Sequence, residues 1–356
     1  MLEKYKTRDS NWELLRIIAM LAIVSGHFVT QTKALDYVKG IDSIFAIIFG
    51  SGLRIGVALF LFLGTWFMVD MSFSSKRILK LYFEYAIYSI GITLIMINVA
   101  DIPIKEIING LFPGIKGGLW FAETYLYLLL IAPFLKKLLN IDRKILKILL
   151  LLWSFMLFVK TTLVFESKDN FMDGYMFFIY TFLVMGYYKK YLINKIKIKP
   201  WKFLFLGLLV YFILISLMGY SLYNKNETLL KFVKLYLFDY KTVPNILISF
   251  PIFYFFQNLN IGKIKYINFI ASSAFAVYII HQTTAFYPYM WSEIFKSDIG
   301  INSEHFIIYM CTVVILIYIC ASVIDYFRIR FLEPMYLNSR LFKFLENKLN
   351  KIYNNL

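Results

Sequence analysis

Arg16 and His27 lie in the first apolar segment, Glu13-Leu-Leu-Arg-Ile-Ile-Ala-Met-Leu-Ala-Ile-Val-Ser-Gly-His27. Ionisable groups inside an apolar span are costly to bury, which makes them functional candidates. Eleven residues are about three helical turns, so both side chains share a face about 16 Å apart along the axis. A guanidinium near one membrane face can grip phosphate. An imidazole deeper in the bilayer can act as a base toward a hydroxyl. The competing reading makes His27 a packing residue that bonds a neighbouring helix. It makes Arg16 a side chain snorkelling to lipid phosphate. The alignment of the two favours chemistry, and Ser25-Gly26 is expected to leave room for a ligand beside His27.

Other residues extend the set. Lys76-Arg77-Ile-Leu-Lys80 precedes the third apolar segment. With Arg16, Arg77 and Lys80 would make a cationic mouth for a phosphate-bearing ligand, unless they serve orientation alone. Trp120-Phe-Ala-Glu123-Thr-Tyr125 opens the fourth segment. Trp120 reads as an interfacial anchor or a substrate contact. Glu123, one turn into the span, needs water or a partner and is a second candidate for proton transfer. Glu84 lies near the membrane edge, where it can snorkel or pair with Lys80 at four-residue spacing. Tyr278-Ile-Ile-His281 falls in a late segment. Tyr278 and His281 are candidate acceptor contacts, packing being the alternative for His281. Nothing in the sequence sets His27 and His281 as a pair. His305 is expected in solvent. No metal-ligand spacing and no glycine-rich nucleotide loop occurs, so neither a metal nor a tightly bound cofactor is expected.

These residues need a membrane bundle to position them. Of 356 residues, 60% are hydrophobic and 17% charged, against about 25% charged in soluble domains. Helical spans are expected at 14–31, 54–71, 81–99, 119–138, 145–164, 171–188, 202–223, 243–258, 267–287 and 305–327. Segment 41–53 would extend the second span or lie at the interface. The fold expected is therefore all-α, a polytopic bundle of about ten transmembrane helices. The net charge of +16 suggests nucleic acid at first sight. The charges are scattered over short loops, as membrane orientation requires, and nucleic acid is excluded as a partner. With both termini in the cytoplasm, the inner segments hold 26 of the 38 basic residues. No cleavage site follows the first apolar segment, so a retained helix is expected there. An integral domain over 1–335 and a basic tail over 336–356 are expected, the tail amphipathic and drawn to anionic lipid. Cys311 and Cys320, about 13 Å apart on one helix, are too distant to bridge.

The order of these pieces resembles the acyltransferase-3 family of integral membrane acyltransferases, which includes bacterial surface-polysaccharide O-acetyltransferases. Leu15-Arg16-Ile-Ile-Ala through His27 is similar to the family's Leu-Arg-Gly-Ile-Ala and its following His. Phe60-Leu-Phe-Leu-Gly64, Lys76-Arg77 to Lys80, Leu119-Trp120-Phe121 with Tyr125 and Pro133, and Tyr278-Ile-Ile-His281 resemble further family segments in order. Leu63 stands where the family has Ser, and Lys80 where it has a second Arg. The chain resembles the stand-alone class, without a fused esterase-like domain.

The resemblance implies an O-acyltransferase of the cytoplasmic membrane, with acetyl-CoA or another acyl-CoA as donor. The implied acceptor is a hydroxyl of a lipid-linked or growing surface polysaccharide. Taken with the residue reading, the expected roles are catalysis for His27 and Glu123, donor binding for Arg16, Arg77 and Lys80, and acceptor binding for His281, Trp120 and Tyr278. Transfer could be direct or pass through an acyl relay. Membrane lipid and a polysaccharide-synthesis complex are candidate partners. The rival readings are a transporter of acyl groups or glycan, a polysaccharide polymerase, which would show a large outer loop, and an export subunit without catalysis. A transporter would show broken helices and inverted repeats.

Overall fold

A computed structural model describes residues 8–114, 118–159 and 174–354. Parts of the expected spans at 145–164 and 171–188, and the basic residues Lys4 and Lys6, lie outside them. Among the described residues all regular structure is helical. In chain order the helices are α1 (Ser10–Gln31), α2 (Ile41–Asp70), α3 (Ser75–Met96), α4 (Ile104–Leu111), α5 (Trp120–Leu138) and α6 (Arg143–Phe158). They continue as α7 (Tyr175–Tyr187), α8 (Pro200–Tyr223), α9 (Glu227–Phe238), α10 (Val243–Asn258), α11 (Lys265–Ala271) and α12 (Ala274–Gln282). The last are α13 (Tyr287–Tyr289), α14 (Ser297–Ile301), α15 (Phe306–Phe327), α16 (Glu333–Leu337) and α17 (Arg340–Asn354).

Five helical stretches are long and apolar enough to cross a membrane: α1, α2, α3, α8 and Phe306–Leu337. Lys265–Gln282 with Tyr287–Ile294, bent by 88°, makes a sixth if it is one broken span. The other expected spans are helical too, but α5, α6, α7 and α10 fall short in length or apolarity within the described residues. Segment 41–53 is not a separate interfacial piece. It continues into α2, a single helix of 30 residues. The expected helix over 267–287 breaks at Ser272-Ser273, where Ser272 turns its hydroxyl back on the Phe269 carbonyl. The region between the seventh and eighth expected spans holds α9 rather than a plain loop.

Small residues set the central packing. A Cβ on Gly26 would lie 2.2 Å from that of Leu53, and one on Gly56 would lie 2.5 Å from the Ala19 carbonyl. Helices α1 and α2 therefore approach backbone to backbone, as small residues permit in membranes. This corrects the reading of Gly26: its missing side chain admits α2, not a ligand. The start of α1 is tied to α11 by Ser10 Oγ to Asn268 Oδ1 at 2.8 Å, and to α10 by Asn11 Nδ2 to the Phe256 carbonyl at 2.8 Å. Its far end is tied to α12 by a Gln31–Gln282 amide bond of 3.0 Å, with Trp291 Nε1 donating to Gln31 at 2.6 Å.

A buried ion cluster joins α3 to the end of α15. Arg328 lies 3.3 Å from Glu84, 2.7 Å from Asp325 and 3.3 Å from Glu333. Tyr88 donates to Asp325 at 2.8 Å, and Lys80 pairs with Glu333. Glu84 therefore pairs with Arg328, not with Lys80 one turn away. The tail helix α17 lays its buried side on α3. Phe342 is fully buried against Phe83, Phe73 stacks on Tyr353 at 3.8 Å, and Tyr353 donates to the Leu130 carbonyl at 2.7 Å. Protein contacts thus take up part of the apolar face expected to meet lipid. Leu341, Phe344 and Ile352 remain exposed.

Candidate active site

Close packing at Gly26 and Leu53 brings the next residue of each helix, His27 and Arg54, to one cavity. Its volume is about 180 Å³, and Thr30, Phe60, Trp120, Phe121 and Tyr278 also line it. That is well below the ~300–1,000 Å³ of pockets enclosing drug-sized ligands. It suits two reacting ends rather than whole substrates.

His27 is not alone. Its Nδ1 lies 3.0 Å from Nε2 of His281, which is fully buried on α12. His281 Nδ1 lies 2.5 Å from the Val277 carbonyl. A carbonyl oxygen only accepts, so His281 Nδ1 carries a proton and donates it. In neutral His281, Nε2 then accepts from His27 Nδ1–H. This leaves His27 Nε2 with its lone pair, on the ring edge away from His281. A base oriented by a second group, itself held by a third, is the arrangement that activates hydroxyl nucleophiles. His281 does not line the cavity, so it stands behind His27 instead of meeting an acceptor there. The two histidines lie 254 positions apart, and no local pattern could have paired them.

Tyr278 and Trp120, candidate acceptor contacts from the sequence, line the cavity, and Trp120 stacks on Tyr240 at 5.7 Å. Glu123 does not line it. Glu123 Oε1 accepts from the Tyr85 hydroxyl and the Gly118 amide, each at 3.0 Å, while the Leu119 amide donates to Tyr85. Those bonds fix the entry to α5 and so the position of Trp120. Arg54, absent from the sequence candidates, was legible as a lone cation in the apolar run Gly52-Leu-Arg-Ile-Gly-Val.

A second cavity of about 230 Å³ lies where α2 ends and α3 begins, lined by Ser72, Ser74, Arg77, Pro133 and Lys136 among others. From Val57 in the first cavity to Met68 in the second is about 16 Å along α2. Tyr125 packs on α2 between those levels: a Cβ on Gly64 would lie 2.7 Å from its ring. Arg16 is ion-paired to Glu13, which also meets Arg8. Of the expected cationic trio, Arg77 lines the second cavity, Arg16 is held by Glu13, and Lys80 is engaged by Glu333. Lys136, counted in the sequence only as a loop charge, takes the place beside Arg77. Leu63, where the resemblance expected Ser, is buried core. Among the described residues no group of His, Cys, Asp and Glu could hold a metal.

The helical membrane fold sets an oriented histidine over a small cavity, an arrangement able to take a proton from a bound group. A family model described as an acyltransferase domain matches residues 9–324, and the chain belongs to the acyltransferase-3 family. It is a membrane acyltransferase. No curated protein and no solved structure matches the chain. The broken span between Gln282 and Tyr287 is therefore a feature of an acyltransferase here, not a mark of a transporter.

Proposed function

We propose that the protein transfers a short acyl group, acetyl in the first instance, from an acyl-CoA to a hydroxyl of a surface polysaccharide or its lipid-linked precursor, in the cytoplasmic membrane. The observation that carries this reading is the His27–His281 pair opening on a cavity sized for reacting ends. The donor's phosphates meet Arg77 and Lys136 at the second cavity, with Arg16 beside them. The pantetheine arm runs past Tyr125 and delivers the thioester to His27, a distance of the order of the helix rise between the two cavities. His27 Nε2 takes the proton of the acceptor hydroxyl as oxygen attacks the thioester carbon. It returns that proton to the leaving thiolate. Trp120 and Tyr278 offer flat apolar walls to a sugar ring.

Membrane vesicles given radiolabelled acetyl-CoA are expected to label glycan, and mass spectrometry is expected to find ester-linked acetyl groups on surface glycan that vanish when the gene is deleted. Unchanged glycans with label appearing in lipid or protein would overturn the acceptor. The donor path has its own test by titration calorimetry on detergent-purified protein. Arg77→Ala and Lys136→Ala are each expected to weaken coenzyme A binding roughly ten-fold, the order of one charge-assisted hydrogen bond. Arg16→Lys should also weaken it, because an ammonium lacks the guanidinium fork. Lys80→Ala should leave it unchanged, since Glu333 already holds that lysine. Unaltered affinity in folded Arg77 and Lys136 variants would show that these charges serve orientation only.

A further inference from the structure

Arg54 is a cation in the middle of α2 with no ion-pair partner among the described residues. It lines the His27 cavity, and its Nε is buried with no hydrogen-bond partner among the described residues. The carboxylates ion-paired elsewhere, Glu13, Glu84, Asp325 and Glu333 among them, are held by other cations. Intramembrane arginines pair with anions or mark where one arrives. Gly26 packed against Leu53 brings this side chain and His27 to the same cavity. Phe60, Phe121 and Phe275 also line the cavity and keep its walls apolar. A charge in such surroundings acts more strongly than in water.

We propose that Arg54 is the electrophilic group of the reaction: its guanidinium receives the negative charge that develops on the thioester carbonyl oxygen during acyl transfer. The proposal rests on the acyl-CoA reading above. The acceptor oxygen forms its bond to the carbonyl carbon while His27 Nε2 takes the hydroxyl proton. The carbonyl π electrons move onto oxygen, where Arg54 faces them. When the carbonyl reforms, the C–S bond breaks, and the thiolate takes the proton from His27. The products are an ester and a thiol, with Arg54 unchanged. Donors placed at a developing oxyanion act in the transition state more than in the ground state. Arg54 should therefore govern turnover rather than donor affinity.

The test measures label transfer from acetyl-CoA to glycan in membrane vesicles for wild type, Arg54→Gln, Arg54→Lys and His27→Ala, with thermal unfolding as a check on folding. Arg54→Gln is expected to lower kcat about 10²–10³-fold while KM for acetyl-CoA stays within about two-fold. Arg54→Lys, which keeps the charge but not the fork, should fall between it and wild type. Fluoroacetyl-CoA, whose carbonyl carbon is more electrophilic and needs less help, should recover part of the Arg54→Gln loss. Near-normal kcat in Arg54→Gln, with His27→Ala inactive, would overturn the role of Arg54 and leave the acyl-CoA reading standing. A loss confined to KM for the acceptor would overturn it too, by making Arg54 a holder of an anionic sugar. If Arg54→Gln does not fold, Arg54→Lys decides: a lowered kcat with partial recovery by fluoroacetyl-CoA supports the role, and an unaltered kcat overturns it. Absence of transfer from acetyl-CoA by wild type would overturn both readings together.

Discussion

His27→Ala is expected to cut glycan acylation by about 10²–10⁴-fold, the usual contribution of a positioned general base, with expression and membrane insertion preserved. The expectation follows from the hydrogen-bond chain. Val277 accepts from His281, and His281 accepts from His27, so the remaining His27 nitrogen is a free lone pair at the cavity. His27→Gln should be as inactive as His27→Ala. An amide can fill the hydrogen bond to His281 but cannot take a proton at neutral pH. Coenzyme A binding should survive both changes, since the second cavity, the proposed place of its phosphates, lies about three turns away. The measurement is label transfer from acetyl-CoA in membranes holding matched amounts of folded protein. Near-normal transfer by His27→Gln would make the histidine pair a packing device. Glu123 would be a poor substitute as base, because Tyr85 and Gly118 already occupy its Oε1.

The long apolar runs made much of the fold readable in advance. Helices α8, α10 and α15 lie within two residues of the spans read from hydropathy, because each is a run of apolar residues with little else in it. The amphipathy of the tail was readable from its mixture of basic and apolar residues. Its docking was not, since amphipathy says that a face will be covered and not by what. The site was half legible for the same reason. Arg16 and His27 share one helix, so their relation follows from helical rise alone. Lys80 with Glu333, Arg328 with Glu84, and His27 with His281 join segments more than 240 positions apart. Their pairing is a product of packing. Arg54 is the instructive omission. It satisfied the same rule that singled out His27, an ionisable group in an apolar run, yet it was not singled out. Gly26 is the instructive error. A missing side chain beside a reactive residue can serve a ligand or a neighbouring helix, and the 2.2 Å approach to Leu53 decides for the helix.

The second large effect concerns stability. Arg328→Met is expected to destabilise the protein by about 3–5 kcal/mol, the cost of leaving buried charges uncompensated. Arg328 is 4% exposed and is the shared partner of Glu84, Asp325 and Glu333, which are themselves buried. Lys80 meets only Glu333 among these three. Removing Arg328 would strand Glu84 and Asp325 and free the end of α15 from α3. The tail helix should loosen with it, because Phe342 packs on Tyr336, whose hydroxyl Arg328 holds at 3.3 Å. Arg328→Lys should not restore stability, since one ammonium cannot reach three carboxylates from the guanidinium's fixed directions. Combining Arg328→Met with Glu84→Gln and Asp325→Asn should recover much of the loss, as replacing a whole buried ion cluster costs less than breaking it. Thermal unfolding in detergent and protease sensitivity of the tail measure both effects. An Arg328→Met protein as stable as wild type would mean that water reaches the cluster and screens it. In that case the interface between α3 and α15 is a wet seam, held by its apolar contacts alone.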